Sequence, residues 1–232
     1  VEEMTLILMM LQMEHPTTQD KENIMWAYVK DGVIKQINGH QTRLQPNPGV
    51  YFSAKYADEW TKEQKENYGV YEIVQDKTNY KDSEYYINGA DTISFGSGKV
   101  TRVWASATAK SLADVNWTQA EIDAGKGPSG ADTNTLNYRG LTYLHKQIIK
   151  SKAAGLLQDS DWYIIRKADA GTAVPSSITN FRAAVRTKAG QMETAIGNAD
   201  TVDKLAALYV YTKQEDKSVT RPLGEWPKLE DY

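Results

Sequence analysis

Two segments, LLQDSDWYIIR (Leu156–Arg166) and PSSITNFRAAVR (Pro175–Arg186), mark the centre of a helical pattern in the C-terminal half of the chain. Apolar residues that precede and begin the first segment fall largely on one face of a helix: Leu136, Leu141, Leu144, Ile148, and Leu156 or Leu157. Apolar residues after Pro175 recur at spacings of three and four: Ile178, Phe181, Val185, Ala189, Met192 and Ile196. Two such stripes, joined by Asp159–Val174, predict an antiparallel helical hairpin.

The ends of these helices carry recognisable signals. Ser176 or Ser177 is predicted to cap the second helix, because a serine hydroxyl accepts a hydrogen bond from an unpaired N-terminal amide. Gly197–Asn198 is predicted to end that helix. Thr201 is predicted to cap a third, short helix.

The N-terminal half has the pattern of a small sheet. Apolar and polar residues alternate over much of 25–107, as in half-buried strands. Asp31–Gly32 separates two such runs and predicts a hairpin with a two-residue turn. Thr61–Gln64 matches a capping box and predicts a short helix that ends near Gly69 in a left-handed conformation. Gln45–Gly49, with two prolines, is predicted to be a loop.

These patterns predict an α+β protein in which a small β-rich domain precedes a helical hairpin. The predicted parts are an N-terminal extension (1–24), the β-rich domain (25–107), a linker (108–132), the hairpin domain (133–210) and an extended tail (211–232). The linker is predicted to carry a short helix after Thr118 and the glycine-rich run Gly125–Gly130, and Trp226 is predicted to be the only large anchor of the tail. Lys21 and Glu22 can be encoded by a sequence like a ribosome-binding site. Residues 1–24 therefore have three interpretations: a short helix that packs on a partner, a disordered extension, or the product of an incorrectly chosen start site. Under the third hypothesis the natural protein begins at Met25, which N-terminal mass spectrometry would test.

Composition gives no support for cofactor, metal or nucleic-acid binding. The chain has no cysteine, which excludes thiolate catalysis, disulfides and cysteine-based zinc sites. Its net charge is −3 and its basic residues form no stripe, so no nucleic-acid partner is expected. His15, His40 and His145 are far apart, and none has a second ligand at helical spacing. His145 is predicted to lie on the polar flank of its helix.

The motifs do not indicate an enzyme either. Gly96–Lys99 lacks the upstream glycine and the following Ser or Thr of a phosphate-binding loop. Asp159 and Asp161 are better explained as helix caps than as an acid/base pair. The apolar run Met4–Met13 is about half of the roughly 20 residues that a membrane helix needs, so no membrane partner is expected.

Aromatic residues offer an alternative site. The chain has 14 Tyr and 6 Trp but only 3 Phe, and rings with a polar tip favour half-buried surfaces. Exposed rings would form a platform for a sugar, whereas buried ones would fill a small core. The candidates are Tyr51, Tyr56, Trp60, Tyr85, Tyr86 and Trp104.

The C-terminal half resembles tail-fibre assembly proteins of tailed bacteriophages and related tail assembly chaperone-like domains. In that family a leucine pair precedes a Ser/Thr-Asp-Trp triplet, and a Tyr-Arg or Phe-Arg pair precedes a small-residue step and a second Arg. The matching positions here are Leu156, Leu157, Ser160, Asp161, Trp162, Phe181, Arg182 and Arg186. The likeness extends loosely through RPLGEWPKLED, and MWAYVKDG to GVYEIV is similar to the family's N-terminal domain.

The resemblance implies a non-enzymatic protein that helps a tail or tail-fibre subunit to fold and assemble in the bacterial host cytoplasm, or that stays in the virion tail as a structural component. Trp162 is expected to close the core of the hairpin, with the arginines facing outward. The expected partner-binding residues are Trp162, Arg166, Phe181, Arg182, Arg186 and Trp226. The three arginines would bind a carboxylate of the partner, or would instead pair locally with Asp159, Asp161 or Asp169. An alanine-rich face on the second helix would also suit a homo-oligomer. The alternative is a receptor- or glycan-binding module that uses the aromatic N-terminal domain.

Overall fold

The computed structural model describes residues 24–39 and 43–232. These residues form two compact units. Unit 1 comprises the residues up to Lys81 together with Asn88–Ala107, and unit 2 comprises Asp82–Ile87 and Thr108–Tyr232. The predicted N-terminal extension, apart from Ile24, lies outside the described residues, as do His15 and His40.

Unit 1 contains a five-stranded sheet in the order β2-β1-β5-β8-β7, in which β5 and β8 are parallel and the other neighbours antiparallel. Its strands are β1 (Met25–Lys30), β2 (Val33–Gly39), β5 (Val70–Asp76), β7 (Asp91–Gly96) and β8 (Lys99–Trp104). Both faces of β1 are covered, since Trp26 and Tyr28 belong to one buried cluster and Ala27 and Val29 to another. Alternation of side chains along the strand produces this division.

The other elements of unit 1 lie between β2 and β5. They are β3 (Leu44–Asn47), β4 (Val50–Phe52), α1 (Tyr56–Glu59) and α2 (Lys62–Asn67). The capping box of α2 is confirmed: Thr61 Oγ1 accepts from Gln64 N, and Gln64 Oε1 accepts from Thr61 N. The prediction of a loop over Gln45–Gly49 is wrong in part, because residues 45–47 continue β3, which pairs with β4 in a narrow hairpin.

Two glycines of unit 1 have nearly the same backbone φ angle but different neighbouring atoms. Gly32, with φ 73°, completes the turn after Asp31 and has no atom within 4 Å of an added Cβ. Gly69, with φ 74°, ends α2 as predicted, and an added Cβ would collide with the carbonyl oxygen of Val29. The amide of Val29 donates to Gly69 O at 2.7 Å, which fixes this close approach.

We therefore expect Gly69→Ala to destabilise the protein more than Gly32→Ala. Both variants force a side chain into the left-handed region, at about 1–2 kcal/mol. Gly69→Ala also overpacks a backbone contact, which adds about 1–3 kcal/mol. Urea unfolding of the two variants measures the difference, and equal losses would contradict the steric argument.

The first part of unit 2 corrects the predicted linker, although the short helix predicted after Thr118 is confirmed. Residues 108–132 carry β9 (Thr108–Ala109), β10 (Val115–Asn116) and α3 (Gln119–Asp123). β9 pairs with β6 (Tyr86–Ile87), and β10 pairs with β11 (Leu136–Tyr138). These pairings, with the capping box of α3 at Thr118, satisfy backbone groups that a linker would leave to water.

Helices form the body of unit 2. They are α4 (Leu141–Gln158), α5 (Asp161–Ala170), α6 (Ser176–Asn198) and α7 (Val202–Ala207). α4 and α6 pack antiparallel: the Leu157 carbonyl at the end of α4 accepts from Arg182 near the start of α6, and Lys146 near the start of α4 approaches Gly197 near the end of α6. The predicted connection between the two helices is itself helical, because α5 fills most of it.

The core stripe of α6 is confirmed residue by residue. Its buried residues are Ile178, Phe181, Arg182, Val185, Ala189, Met192 and Ile196. The predicted stop at Gly197–Asn198 and the Thr201 cap of α7 are also confirmed, since Thr201 Oγ1 accepts from Lys204 N. The serine cap of α6 is wrong, because Pro175 occupies the capping position and Ser176 is already helical.

The buried face of α4 differs from the predicted one. Its buried residues are Leu141, His145, Ile149 and Ala153, whereas Leu144 and Ile148 are 46% and 56% exposed. α4 begins only at Leu141, because Leu136 lies in β11. The helix has apolar residues on two faces, and periodicity alone did not decide which of them packs against α6.

The C-terminal tail is more structured than predicted. Thr212–Lys213 (β12) pairs with Val219–Thr220 (β13), and Leu229–Asp231 form a short 3-10 helix that packs on α6. Trp226 is a partly buried anchor of the tail, as predicted. Leu223, only 3% exposed, is a second anchor that the prediction missed.

Candidate partner-binding site

Helix α5 carries an apolar surface that unit 2 leaves uncovered. Every one of its ten residues is exposed or only partly buried, and Trp162, Ile164 and Ile165 are 49%, 43% and 67% exposed. Isolated helices shorter than about 12–15 residues are marginal in water. α5 has only ten residues and exposes three large apolar side chains, so packing inside unit 2 accounts for little of its stability.

The start of α5 is held by a buried arginine of α6. Arg182 is 7% exposed; its Nη1 donates to Leu157 O at 2.9 Å and to Ser160 Oγ at 2.6 Å, and its Nη2 lies 2.8 Å from Asp161 Oδ1. One guanidinium thus joins the end of α4, the turn after it and the first residue of α5. This contact positions α5 without burying its apolar side chains.

Arg166 adds a positive charge to the same helix. Its guanidinium lies 4.6 Å from the Trp162 ring and 5.5 Å from the Tyr163 ring, in cation–π range. Among the described residues, no carboxylate lies within ion-pair distance of Arg166, and its Nε is buried without an acceptor. The α5 surface, defined as Trp162, Ile165 and Arg166, which share one side of the helix, is therefore apolar with one uncompensated cation.

The structure divides the six predicted partner-binding residues. Trp162 and Arg166 lie on the α5 surface, and Arg186 is exposed on α6. Phe181, 5% exposed, and Arg182 are buried, and Trp226 packs partly against the core. The predicted roles of Trp162 and Arg182 are thus exchanged: Arg182 joins the helices from inside, and Trp162 faces outward. Arginine is rarely buried unless it is paired. The outward position predicted for Arg182 rested on its charge and did not allow for such pairing.

Unit 2 also has a groove that the sequence did not predict. It has a volume of about 670 Å³, and α4 forms one wall through Leu144 and Ile148, while Ile87 and Tyr138 lie on other elements. These four side chains are 46–62% exposed. Only the second apolar face of α4 could have indicated the groove from sequence.

His145 lies at the base of this groove and is 3% exposed, not on a polar flank as predicted. Its Nδ1 is 2.8 Å from the Tyr209 hydroxyl, and its Nε2 is 3.6 Å from Glu84 Oε1. The ring stacks on Tyr85, with centroids 5.6 Å apart. Burial raises the pKa of Tyr85 to about 12 and that of Tyr209 in the same direction. Through these contacts, buried His145 on α4 connects the Glu84–Tyr85 segment with Tyr209 after α7.

We expect His145 to make the stability of unit 2 depend on pH. Burial lowers its pKa from 6.5, and the negative charge of Glu84 opposes part of that shift. The unfolded state then binds more protons between the two pKa values, so stability is complete above about pH 6.5 and decreases below it. Urea unfolding of the protein and of His145→Gln at a series of pH values tests this. An unchanged slope in the variant would contradict it.

The described residues contain no group of three or more His, Asp or Glu side chains that could hold a metal ion. No helix within the described ranges is both long and apolar enough to cross a bilayer. Asp161 pairs with Arg182, and Asp159 is the C-terminal cap of α4.

Three of the six aromatic candidates follow the core-filling alternative instead of the sugar platform. Tyr56, Tyr85 and Trp104 are 0%, 5% and 8% exposed, because they fill the cores of the two units. Tyr85 and Tyr86 belong to unit 2, whereas the other candidates belong to unit 1. Tyr51 alone of the six is strongly exposed, at 58%.

Comparison of the chain with models of protein families, with curated proteins and with solved structures gave no match. The class of the protein therefore follows from its own fold, which is α+β. A sheet with two short helices makes up unit 1, and the α4–α6 pair with its exposed α5 surface dominates unit 2.

Proposed function

We propose that this chain is a non-enzymatic assembly protein of a tailed bacteriophage, which binds a tail or tail-fibre subunit through the α5 surface. The observation that carries the proposal is the exposure of Trp162 and Ile165 on a helix held in place by Arg182. The resemblance of this segment to tail-fibre assembly proteins supplies the identity of the partner. The protein acts by binding, without a cofactor, nucleic acid or membrane, in the host cytoplasm during assembly.

The α5 surface suits an unassembled subunit. A fibre subunit exposes apolar surface until it meets its other copies, and a helix with uncovered apolar side chains can cover that surface meanwhile. Arg166 can bind a carboxylate of the subunit through its planar guanidinium. Release after assembly would make the protein a chaperone, and retention would make it a virion component. Proteomics of purified particles separates the two.

Co-expression with the neighbouring tail-fibre subunit, followed by affinity capture, tests the proposal. We expect the subunit to co-purify, and Ile165→Asp to weaken binding about 30-fold or more, as for a residue at the centre of an interface. Val219→Asp is the matched control, because Val219 is exposed on β13 outside the α5 surface. Failure to capture any tail or fibre subunit would refute the function, and capture by Ile165→Asp at full strength would refute the site.

One observation in unit 1 supports the alternative, a receptor- or glycan-binding function. Tyr68 is 57% exposed and lines an open cleft with Asn47 and Asn67, so a ring face and two amides are available to a sugar. Binding on a glycan array that Tyr68→Ala abolishes would favour this alternative. An array without signal would leave the assembly function as the sole proposal.

A further inference from the structure

The groove of unit 2 is an apolar surface without a partner inside the unit. On α4, Leu144 and Ile148 are four residues apart and lie on the same face, away from the buried Ile149. Ile87 and Tyr138 complete the groove, and they are 62% and 51% exposed. A helix with apolar residues on two faces is expected to be covered on both in the working assembly.

The groove is also lined by charged side chains. Lys110 lines it, but its ammonium group donates to the backbone carbonyls of Ser83 and Glu84 at 2.7 and 3.1 Å. Arg139 is paired with Asp114 at 2.6 Å. The Glu84 carboxylate is 57% exposed, and His145, its neighbour at 3.6 Å, is neutral near pH 7 because burial lowers its pKa. Lys110 keeps its positive charge, so what distinguishes the groove is that its Glu84 carboxylate forms no ion pair with a Lys or Arg side chain of the described residues.

The α5 surface has the complementary composition. Trp162 and Ile165 are three residues apart and share a face of the helix, and Arg166 follows directly. Arg166 has no carboxylate partner among the described residues, just as Glu84 has no cationic partner near neutral pH. An amphipathic helix that lays its apolar face into a groove is a common mode of protein recognition.

We propose that helix α5 of one copy of this chain binds in the groove of a second copy, with Ile165 and Trp162 against Leu144 and Ile148 and with Arg166 facing Glu84. When both copies exchange α5 in this way, the two contacts are equivalent and close a symmetric dimer. The dimer concerns the purified chain alone and does not depend on the phage assignment, whereas its regulatory role rests on the proposed function.

The same contact would regulate access to α5. A tail subunit that binds the α5 surface competes with the groove of the second copy. In the dimer, the α5 surface and the groove would both stay covered until a tail subunit binds. Titration with the subunit should convert dimers into complexes that hold one copy of this chain.

Analytical ultracentrifugation of two single variants and of their mixture tests the dimer. We expect the unaltered chain to dimerise, and Ile165→Asp and Ile148→Asp each to weaken the association about 30-fold or more. In the mixture, the intact α5 of the Ile148→Asp chain still fits the intact groove of the Ile165→Asp chain, so mixed dimers should form with one contact. Val219→Asp is the control, and circular dichroism checks that each variant is folded.

Charge exchange tests the pairing of Arg166 with Glu84 independently. Glu84→Arg and Arg166→Glu should each weaken the dimer, and the double variant should regain at least part of the loss. A monomeric unaltered chain overturns the proposal. So does a dimer that both aspartate variants retain, a mixture of folded variants that stays monomeric, or a double variant weaker than either single one.

Discussion

Arg182→Ala is expected to lower the free energy of unfolding of unit 2 by about 3 kcal/mol. The side chain is 7% exposed and makes two hydrogen bonds and one ion pair, to Leu157, Ser160 and Asp161. Hydrogen bonds to charged groups contribute about 1.5–3 kcal/mol each where they are buried. Since Asp161 is half exposed, the ion pair itself adds less, and most of the loss comes from the two bonds to Leu157 and Ser160.

Arg186→Ala is the matched control for this prediction. Arg186 lies one helical turn further along α6 and is exposed, so its removal should change stability by less than about 0.5 kcal/mol. Urea unfolding compares the two variants. Hydrogen exchange should also show faster opening of α5 in Arg182→Ala, because the arginine holds its first turn. Equal stability of the two variants would show that Arg182 is not the link between the helices.

Phe181→Ala is expected to cost about 3–5 kcal/mol, the usual loss for a large aromatic side chain in a core. Phe181 is 5% exposed and belongs to the main cluster of unit 2, with the Tyr232 ring 6.2 Å away. Phe181→Leu keeps most of the apolar volume and should cost less than about 1.5 kcal/mol. Thermal or urea unfolding of both variants gives these values.

The leucine variant also distinguishes a core residue from a binding residue. If Phe181 contacted the partner directly, as the sequence suggested, Phe181→Leu would weaken binding while leaving stability nearly unchanged. Its burial leads us to expect the reverse, with a modest loss of stability and unaltered capture of the partner. Normal stability with lost binding would therefore restore the predicted role.

Local signals in the sequence were sufficient where short-range geometry decides the outcome. The stripe on α6 is a single apolar face with polar residues elsewhere, so only one orientation buries it. The Thr61 and Thr201 caps and the turn at Asp31–Gly32 depend on neighbours within a few residues, and the structure has all three. The α+β class followed from the same periodicities.

The sequence was insufficient where the choice between two arrangements depends on contacts between residues that are far apart in the chain. α4 has apolar residues on two faces, and burial of His145 instead of Leu144 depends on the rings of Tyr85 and Tyr209, which come from distant parts of the chain. The assignment of 108–132 as a linker failed for a similar reason, since its strands find partners on either side in the chain.

The sequence by itself determined that this protein is α+β, that Ile178 to Ile196 form the buried stripe of a long helix, and that a Trp-bearing segment precedes that helix. Only the tertiary structure decided that Arg182 lies inside and Trp162 outside. The physical reason is that a guanidinium can be buried when carbonyl, hydroxyl and carboxylate oxygens converge on it. That convergence is a property of three elements in space and is not visible in any one of them.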